Sequence, residues 1–182
     1  MSTDTEYSLV PLHQHPEFVE ACIQLLNSHW PRSHYARSLS LSKSQDSLPV
    51  SLLLVEAKSN RLTGHCKLCN IPGRPSDCWV ESVIIDKQRR LKGLGRLLMT
   101  LVENFAAARG FQTVYLSTHD QLEFYAKCGY VACPPVVTIG ANSQLLDGEH
   151  FRQFREKLGR TFEQGIAPAV DQHQSGKHFS TR

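Results

Sequence analysis

The sequence predicts a single α/β domain in which a mixed, mostly antiparallel sheet carries helices on both faces. Three observations point there. A strand-like run, Trp79-Val80-Glu81-Ser82-Val83-Ile84-Ile85, passes through the turn Arg89-Arg90-Leu91-Lys92-Gly93-Leu94-Gly95 into an amphipathic helix. The apolar runs at 49–56 and 61–71 are separated only by a turn at Ser59-Asn60, so they pair antiparallel. A chain of 182 residues is long enough for one domain with a substantial core and short for two.

Taken in order, residues 7–12 form a first strand. A helix follows with Phe18, Val19, Cys22, Leu25 and Leu26 on one face. Trp30-Pro31 ends it, because the residue before a proline avoids the helical region. A second, more polar helix covers 33–41, and the two antiparallel strands come next. The loop Pro72-Gly73-Arg74-Pro75 leads into the strand that ends at Ile85. In the following helix, Leu94, Leu97, Leu98, Leu101 and Phe105 make the buried face, and Gly110 stops it. Residues 113–117 form a strand, and 121–127 a short helix ended by Cys128-Gly129-Tyr130. Pro134-Pro135 confines the strand over 131–138 to an edge or a bulge. A charged helix is expected over 149–158, with 177–181 the candidate for a last strand. The domain thus covers residues 1–160, with its core over 7–138. Residues 161–182 form a polar tail that can complete the sheet.

Lys plus Arg number 20 against 17 Asp plus Glu, a net charge of +3. That excess is too small for general nucleic-acid binding, so local clustering decides. No run of about 18 apolar residues suggests a membrane span. The polar, acidic start Met1-Ser2-Thr3-Asp4-Thr5-Glu6 is unlike a signal peptide. Six scattered cysteines, in a chain able to bury its own core, read as reduced structural thiols of a cytosolic protein. Cys66-Lys67-Leu68-Cys69, with His65 and Cys78 nearby, lacks the second Cys-x-x-Cys pair of a zinc site. On a strand, moreover, Cys66 and Cys69 point to opposite faces. No metal is expected, and the domain is expected to be a monomer.

The chemistry concentrates at the glycine turn. Two glycines one residue apart let the backbone turn tightly and approach a ligand. The amides of the following helix N-terminus favour an anion, and Arg89, Arg90, Lys92 and Arg96 surround them. The P-loop pattern is absent, and Met99 stands where the dinucleotide fingerprint needs its third glycine. In its strand–turn–helix setting, Arg90-x-x-Gly93-x-Gly95 resembles the acetyl-CoA loop of the GNAT N-acetyltransferases. The order β-α-α-β-β-β-α-β-α-β is also similar to that family's through about residue 138.

The resemblance implies acetyl-CoA as co-substrate, with Arg90, Leu91, Lys92, Gly93, Leu94, Gly95 and Arg96 around its pyrophosphate. It also implies that Val83, Ile84 and Ile85 run along the pantetheine and that their amides polarise the thioester carbonyl. Phe124-Tyr125-Ala126-Lys127-Cys128-Gly129-Tyr130 resembles the family's aromatic-Tyr-x-x-x-Gly-aromatic element. Tyr125 then stands where a phenol protonates the departing sulfur. Trp79 stands where some members carry a base, and an indole cannot serve. Glu81, on one strand face with Trp79 and Val83, and His119, after the following strand, are candidates acting through water. A structural hydrogen-bonding role is the alternative for each. An α-amine has a pKa of about 7.7–8.0, so a useful fraction is already neutral.

Around Trp30-Pro31-Arg32-Ser33-His34-Tyr35-Ala36-Arg37-Ser38, Cys78–Val83 and Leu116–Gln121 the chain is similar to the animal N-terminal acetyltransferases that modify processed actin. This resemblance covers about residues 30–130. It implies an acidic protein N-terminus as acceptor, lined by Arg32, Arg37, Trp79, Glu81, Ser117 and His119. Arginine forks recognise the consecutive carboxylates with which processed actins begin. Some relatives carry a long proline-rich insertion; only Pro134-Pro135 is present here, so profilin recruitment by that route is not expected. The alternatives are a GNAT acting on a small amine or lysine side chain, a silent acyl-CoA-binding module, and a cytoskeletal scaffold.

Overall fold

The computed structural model describes residues 7–133, 136 and 176–180, so the helix expected over 149–158 lies outside the described residues. Among them, the strands are β1 (Tyr7–Pro11), β2 (Val50–Glu56), β3 (Arg61–Ile71), β4 (Arg74–Ile85), β5 (Thr113–Ser117), β6 (Val131–Ala132) and β7 (Gly176–Ser180). The helices are α1 (Val19–Asn27), α2 (His34–Leu41), α3 (Leu94–Ala108) and α4 (Leu122–Lys127). One sheet takes the order β1-β2-β3-β4-β5-β7-β6. β1 to β4 form an antiparallel meander, and β4, β5, β7 and β6 pair in parallel.

The expected last strand therefore completes the sheet from within it. β7 inserts between β5 and β6, pairing Thr113 with Gly176 and Val131 with His178. Among the described residues β6 covers Val131–Ala132 at the sheet edge, and residues 134, 135, 137 and 138 of the strand expected over 131–138 lie outside them. The loop expected over 72–75 shrinks. Pro72 and Gly73 alone make the turn, with Gly73 at φ 74, and Arg74 and Pro75 already belong to β4.

Each sheet face has its own core. On one, Leu52, Leu54, Cys66, Leu68, Val80 and Leu116 meet α3 and Tyr125 of α4. On the other, Leu53, Val55, Leu62 and Ile84 meet Cys22, Ile23 and Leu26 of α1 and Leu41 of α2. The buried stripe of α3 is Leu94, Leu98, Met99, Val102 and Ala106. Leu97, Leu101 and Phe105, expected at its centre, pack at the margin. Ala106 lets the helix approach closely, so the stripe turns toward small Ala and flexible Met rather than toward every leucine. Ser33 caps α2, its hydroxyl accepting from the Ala36 amide at 3.2 Å.

Candidate active site

β4 and β5 pair in parallel from Asp77↔Thr113 to Val80↔Leu116 and no further, although β4 continues to Ile85. The backbone of residues 81–85 thus has an open edge on the β5 side. On its other side, β3 pairs Lys67 with Glu81 and His65 with Ile84, so Cys66 alone faces Ser82 and Val83. That is a β-bulge, and it bends and twists the strand where pairing with β5 stops. Ser82 absorbs the extra residue at φ 56. A non-glycine residue in the left-handed region costs about 1–2 kcal/mol. The His65 Nδ1 donates to the Ser82 carbonyl at 3.0 Å.

The bulge breaks the even alternation assumed for this strand. Trp79 packs with Cys69 and Ile71 on one face, whereas Val83 packs into the α3 core on the other. Val83 therefore does not share a face with Trp79 and Glu81. Ile84 lies in the α1 core and Ile85 in the α3 core, so 83–85 contribute side chains to the interior and backbone to the open edge.

The glycine turn lies just beyond. Arg90 anchors it, its Nε donating to the Ile85 carbonyl at 3.1 Å. Leu91 is fully exposed at φ 64, and Gly93 caps α3 at φ 76. Leu94 is buried, and the first turn of α3 holds no acidic residue that would occupy its unspent amides. A Cβ at Gly95 would meet the Phe124 ring at 3.2 Å, so this glycine lets α4 approach α3. Of the four basic side chains, Arg89 is matched by Glu56 through two bonds of 3.2 and 3.1 Å. Arg96 donates to the Lys127 carbonyl at 2.6 Å. Lys92 is exposed beside the amides. The turn and helix end leave backbone amides at the N-terminus of α3 that can meet an anion.

Tyr125 enters from the α4 side, packed edge-on to Tyr130 at 5.7 Å between ring centres. Burial, with Cys66, Cys128 and Asp120 nearby, pushes its phenol above the usual tyrosine range. It therefore carries its proton throughout the neutral range. Its electrostatic neighbour Cys66 is the residue opposite the bulge, which brings the phenol to the same point of the sheet.

The opposite face carries the acceptor candidates. Glu81 meets Lys67 at 3.1 Å. His65 is buried beside them, and Trp79 is buried a strand-pair away. Arg37 is buried too, but its guanidinium has internal partners. It donates to Asn27 Oδ1 at 3.1 Å and to the Trp30 carbonyl, holding the turn between α1 and α2. Arg32 is exposed on that turn, within electrostatic reach of Arg37. Ser117 ends β5 on the Tyr115 face, and His119 is exposed in the loop beyond it. Glu81 and Trp79 lie two residues apart on β4, and His119 lies two residues beyond the end of the neighbouring β5. Lys67 and His65 escaped the sequence reading as site residues. Their signal was two ionisable side chains two positions apart in a strand otherwise buried on both faces.

The sequence profile of the acetyltransferase (GNAT) family matches residues 18–130, from just before α1 to just past α4. This chain belongs to the GNAT acetyltransferases. It is 38% identical to mouse N-alpha-acetyltransferase 80 over 144 residues, which are 76% of this chain and 46% of that protein. The chain thus spans about half the length of this relative. Among solved structures, it resembles a Trypanosoma brucei acetyltransferase (TM-score 0.59, 18% identity, 74% of this chain and 99% of that one). It also resembles glucosamine-6-phosphate N-acetyltransferase from Arabidopsis thaliana (TM-score 0.56, 16% identity, 73% and 97%). At such identities these two share the fold. GNAT acetyltransferases use acetyl-CoA, and here the open edge of β4 is followed by an α3 N-terminus whose first turn holds no acidic residue.

Proposed function

We propose that this GNAT protein is an N-alpha-acetyltransferase, moving acetyl from acetyl-CoA to the free α-amine of an acidic protein N-terminus. Processed actin is the acceptor that suits it, and the cytosol, which keeps thiols reduced, suits its six free cysteines. The observation that carries this reading is the basic wall on the acceptor face. Lys67 pairs with Glu81 at 3.1 Å beside the open edge of β4, and Arg37, itself within electrostatic reach of Arg32, acts with Lys67 on the neighbouring His65. The likeness to a relative named for α-amine acetylation supports the same reading.

In this reading the amides at the start of α3 hold the pyrophosphate, and the backbone of 83–85 holds the pantetheine and polarises the carbonyl. Glu81 receives the amine's proton through water, and Tyr125 gives a proton to the departing sulfur from the other face. Acid and base are thus separated by the sheet. The deciding experiment is a peptide series offering acidic, neutral and Met-initiated N-termini, and an N-terminally blocked peptide containing lysine. Acidic free N-termini are expected to lead in kcat/KM. A preference for the blocked lysine peptide would replace this reading with side-chain acetylation.

A further inference from the structure

We propose that His65 is a positioning residue, which holds the β4 bulge in the shape that presents the backbone of 83–85 to the thioester. The argument starts from a side chain out of place. His65 is 1% exposed, and its neighbours across the strands are Leu53 and Ile84, both apolar. A leucine there would fill the space without burying a polar ring. The imidazole instead leaves Nε2 with no partner among the described residues, a cost that needs a compensating role.

That role lies at Nδ1. A carbonyl partner requires Nδ1 to carry the proton, which leaves Nε2 as the bare acceptor. Burial, helped by the charges of Lys67 and Arg37, pulls the ring down to about 4 despite the Ser82 bond, so one neutral tautomer persists. Its partner, Ser82, is the bulge residue held at φ 56. A serine has no intrinsic preference for that conformation. The bulge lies where pairing with β5 ends, and it sets which side chains of 83–85 turn toward which core. His65 touches neither the acetyl group nor the acceptor; it acts through Ser82.

The test compares His65→Asn with His65→Gln in the full chain. The asparagine amide stands where Nδ1–H stands, while glutamine reaches toward the Nε2 position. The expected result is an asparagine variant within about threefold of wild type in kcat, and a glutamine variant lower by about 10–100-fold, the scale of a small misplacement of reacting groups. KM for the peptide should stay within about threefold in both, since His65 is buried beneath the acceptor face and does not itself meet the peptide. Equal kcat in the two variants, or losses that merely follow their thermal midpoints, would overturn the proposal.

A second arm keeps the test decisive if the asparagine variant does not fold. Glycine adopts φ 56 unaided, so Ser82→Gly added to His65→Gln should restore kcat; no recovery would overturn the proposal. The inference rests on the reading that acetyl-CoA lies along 81–85. Hydrogen exchange in the wild type separates the two. If acetyl-CoA fails to protect these amides, the placement itself is wrong. If it protects them equally in a fully active His65→Gln, the placement stands and the role of His65 is refuted.

Discussion

Lys67 and Glu81 stand directly opposite on β3 and β4, and their side chains meet at 3.1 Å with Lys67 only 7% exposed. The pair ties the candidate base to a cation that belongs to the acceptor wall.

Removing one partner leaves the other charge poorly compensated. Lys67→Met is expected to cost about 1–3 kcal/mol of stability, less than a fully buried pair because Glu81 keeps some water. Glu81→Gln keeps the shape and loses the proton acceptor. Its kcat should fall by about 10–100-fold while KM for acetyl-CoA holds. Stopped-flow acetyl transfer on an acidic peptide checks this; an unchanged rate makes Glu81 a structural partner of Lys67 alone.

Stability should depend on pH through His65 and the buried thiols. The imidazole titrates at 6.5 when unfolded and at about 4 when folded. Between those values the unfolded chain binds a proton the folded chain refuses, so stability rises with pH across this window and is lost below it. The shift corresponds to about 3 kcal/mol at most. At the other end, burial pushes Cys22, Cys69 and Cys78 up from 9.0 to about 12. There the unfolded chain loses protons first, and stability falls as pH rises past 9. Thermal unfolding under reducing conditions should show a plateau between these limits. His65→Asn should flatten its acid side; an acid limb unchanged in that variant assigns the loss to other groups.

Tyr125→Phe removes the phenol proton and keeps the ring packing against Tyr130 and the α3 core. A drop in kcat of about 100-fold is expected, with acetyl-CoA affinity little changed. An undiminished single-turnover rate would leave Tyr125 a packing residue.

Much of this arrangement was legible in the chain, for identifiable reasons. Periodicity located α1, α3 and the strands, and Gly93, at φ 76, marked the N-terminus of α3. The bulge at Ser82 was not legible. It follows from the register between β3 and β4, and a serine at φ 56 carries no local signal of the kind a glycine gives. The misplacement of Val83 follows directly. The sequence shows the charge of Arg37 but not its bonds to Asn27 and Trp30, which depend on how α1 and α2 fold back on each other. His65 and Lys67 stayed hidden because a strand buried on both faces leaves no polar side to compare.

The two glycines near the co-substrate track should fail in different ways. A Cβ at Gly64 would meet Ile85 Cδ1 at 2.7 Å and the Ile84 carbonyl at 3.1 Å. Gly64→Ala should therefore cost about 1–3 kcal/mol by overpacking the end of β4. Gly95→Asp adds a negative charge at the helix end that should hold pyrophosphate, beside the Phe124 ring. It should abolish acetyl-CoA binding in a folded protein. Calorimetry on both variants separates the two, and normal affinity in a folded Gly95→Asp would remove the anion site from this turn.

Specificity for acidic acceptors should divide unevenly between the two arginines. Arg32 is exposed, and a single exposed ion pair contributes under about 1 kcal/mol, so Arg32→Ala alone should lower kcat/KM on an acidic peptide by less than about tenfold. Arg37 is buried and clamps the α1–α2 turn, so Arg37→Ala should lower stability and disturb the wall that carries Arg32. Arg37→Lys keeps the charge and loses the fork. It should therefore destabilise the turn while retaining much of the acidic preference. Charge removal at both positions should cost about 2–4 kcal/mol in kcat/KM on an acidic peptide, and far less on a neutral peptide of equal length. High salt should weaken the wild-type preference in the same direction. Equal losses on both peptides would make the arginines scaffolding, and the source of any acidic preference would then have to be Lys67.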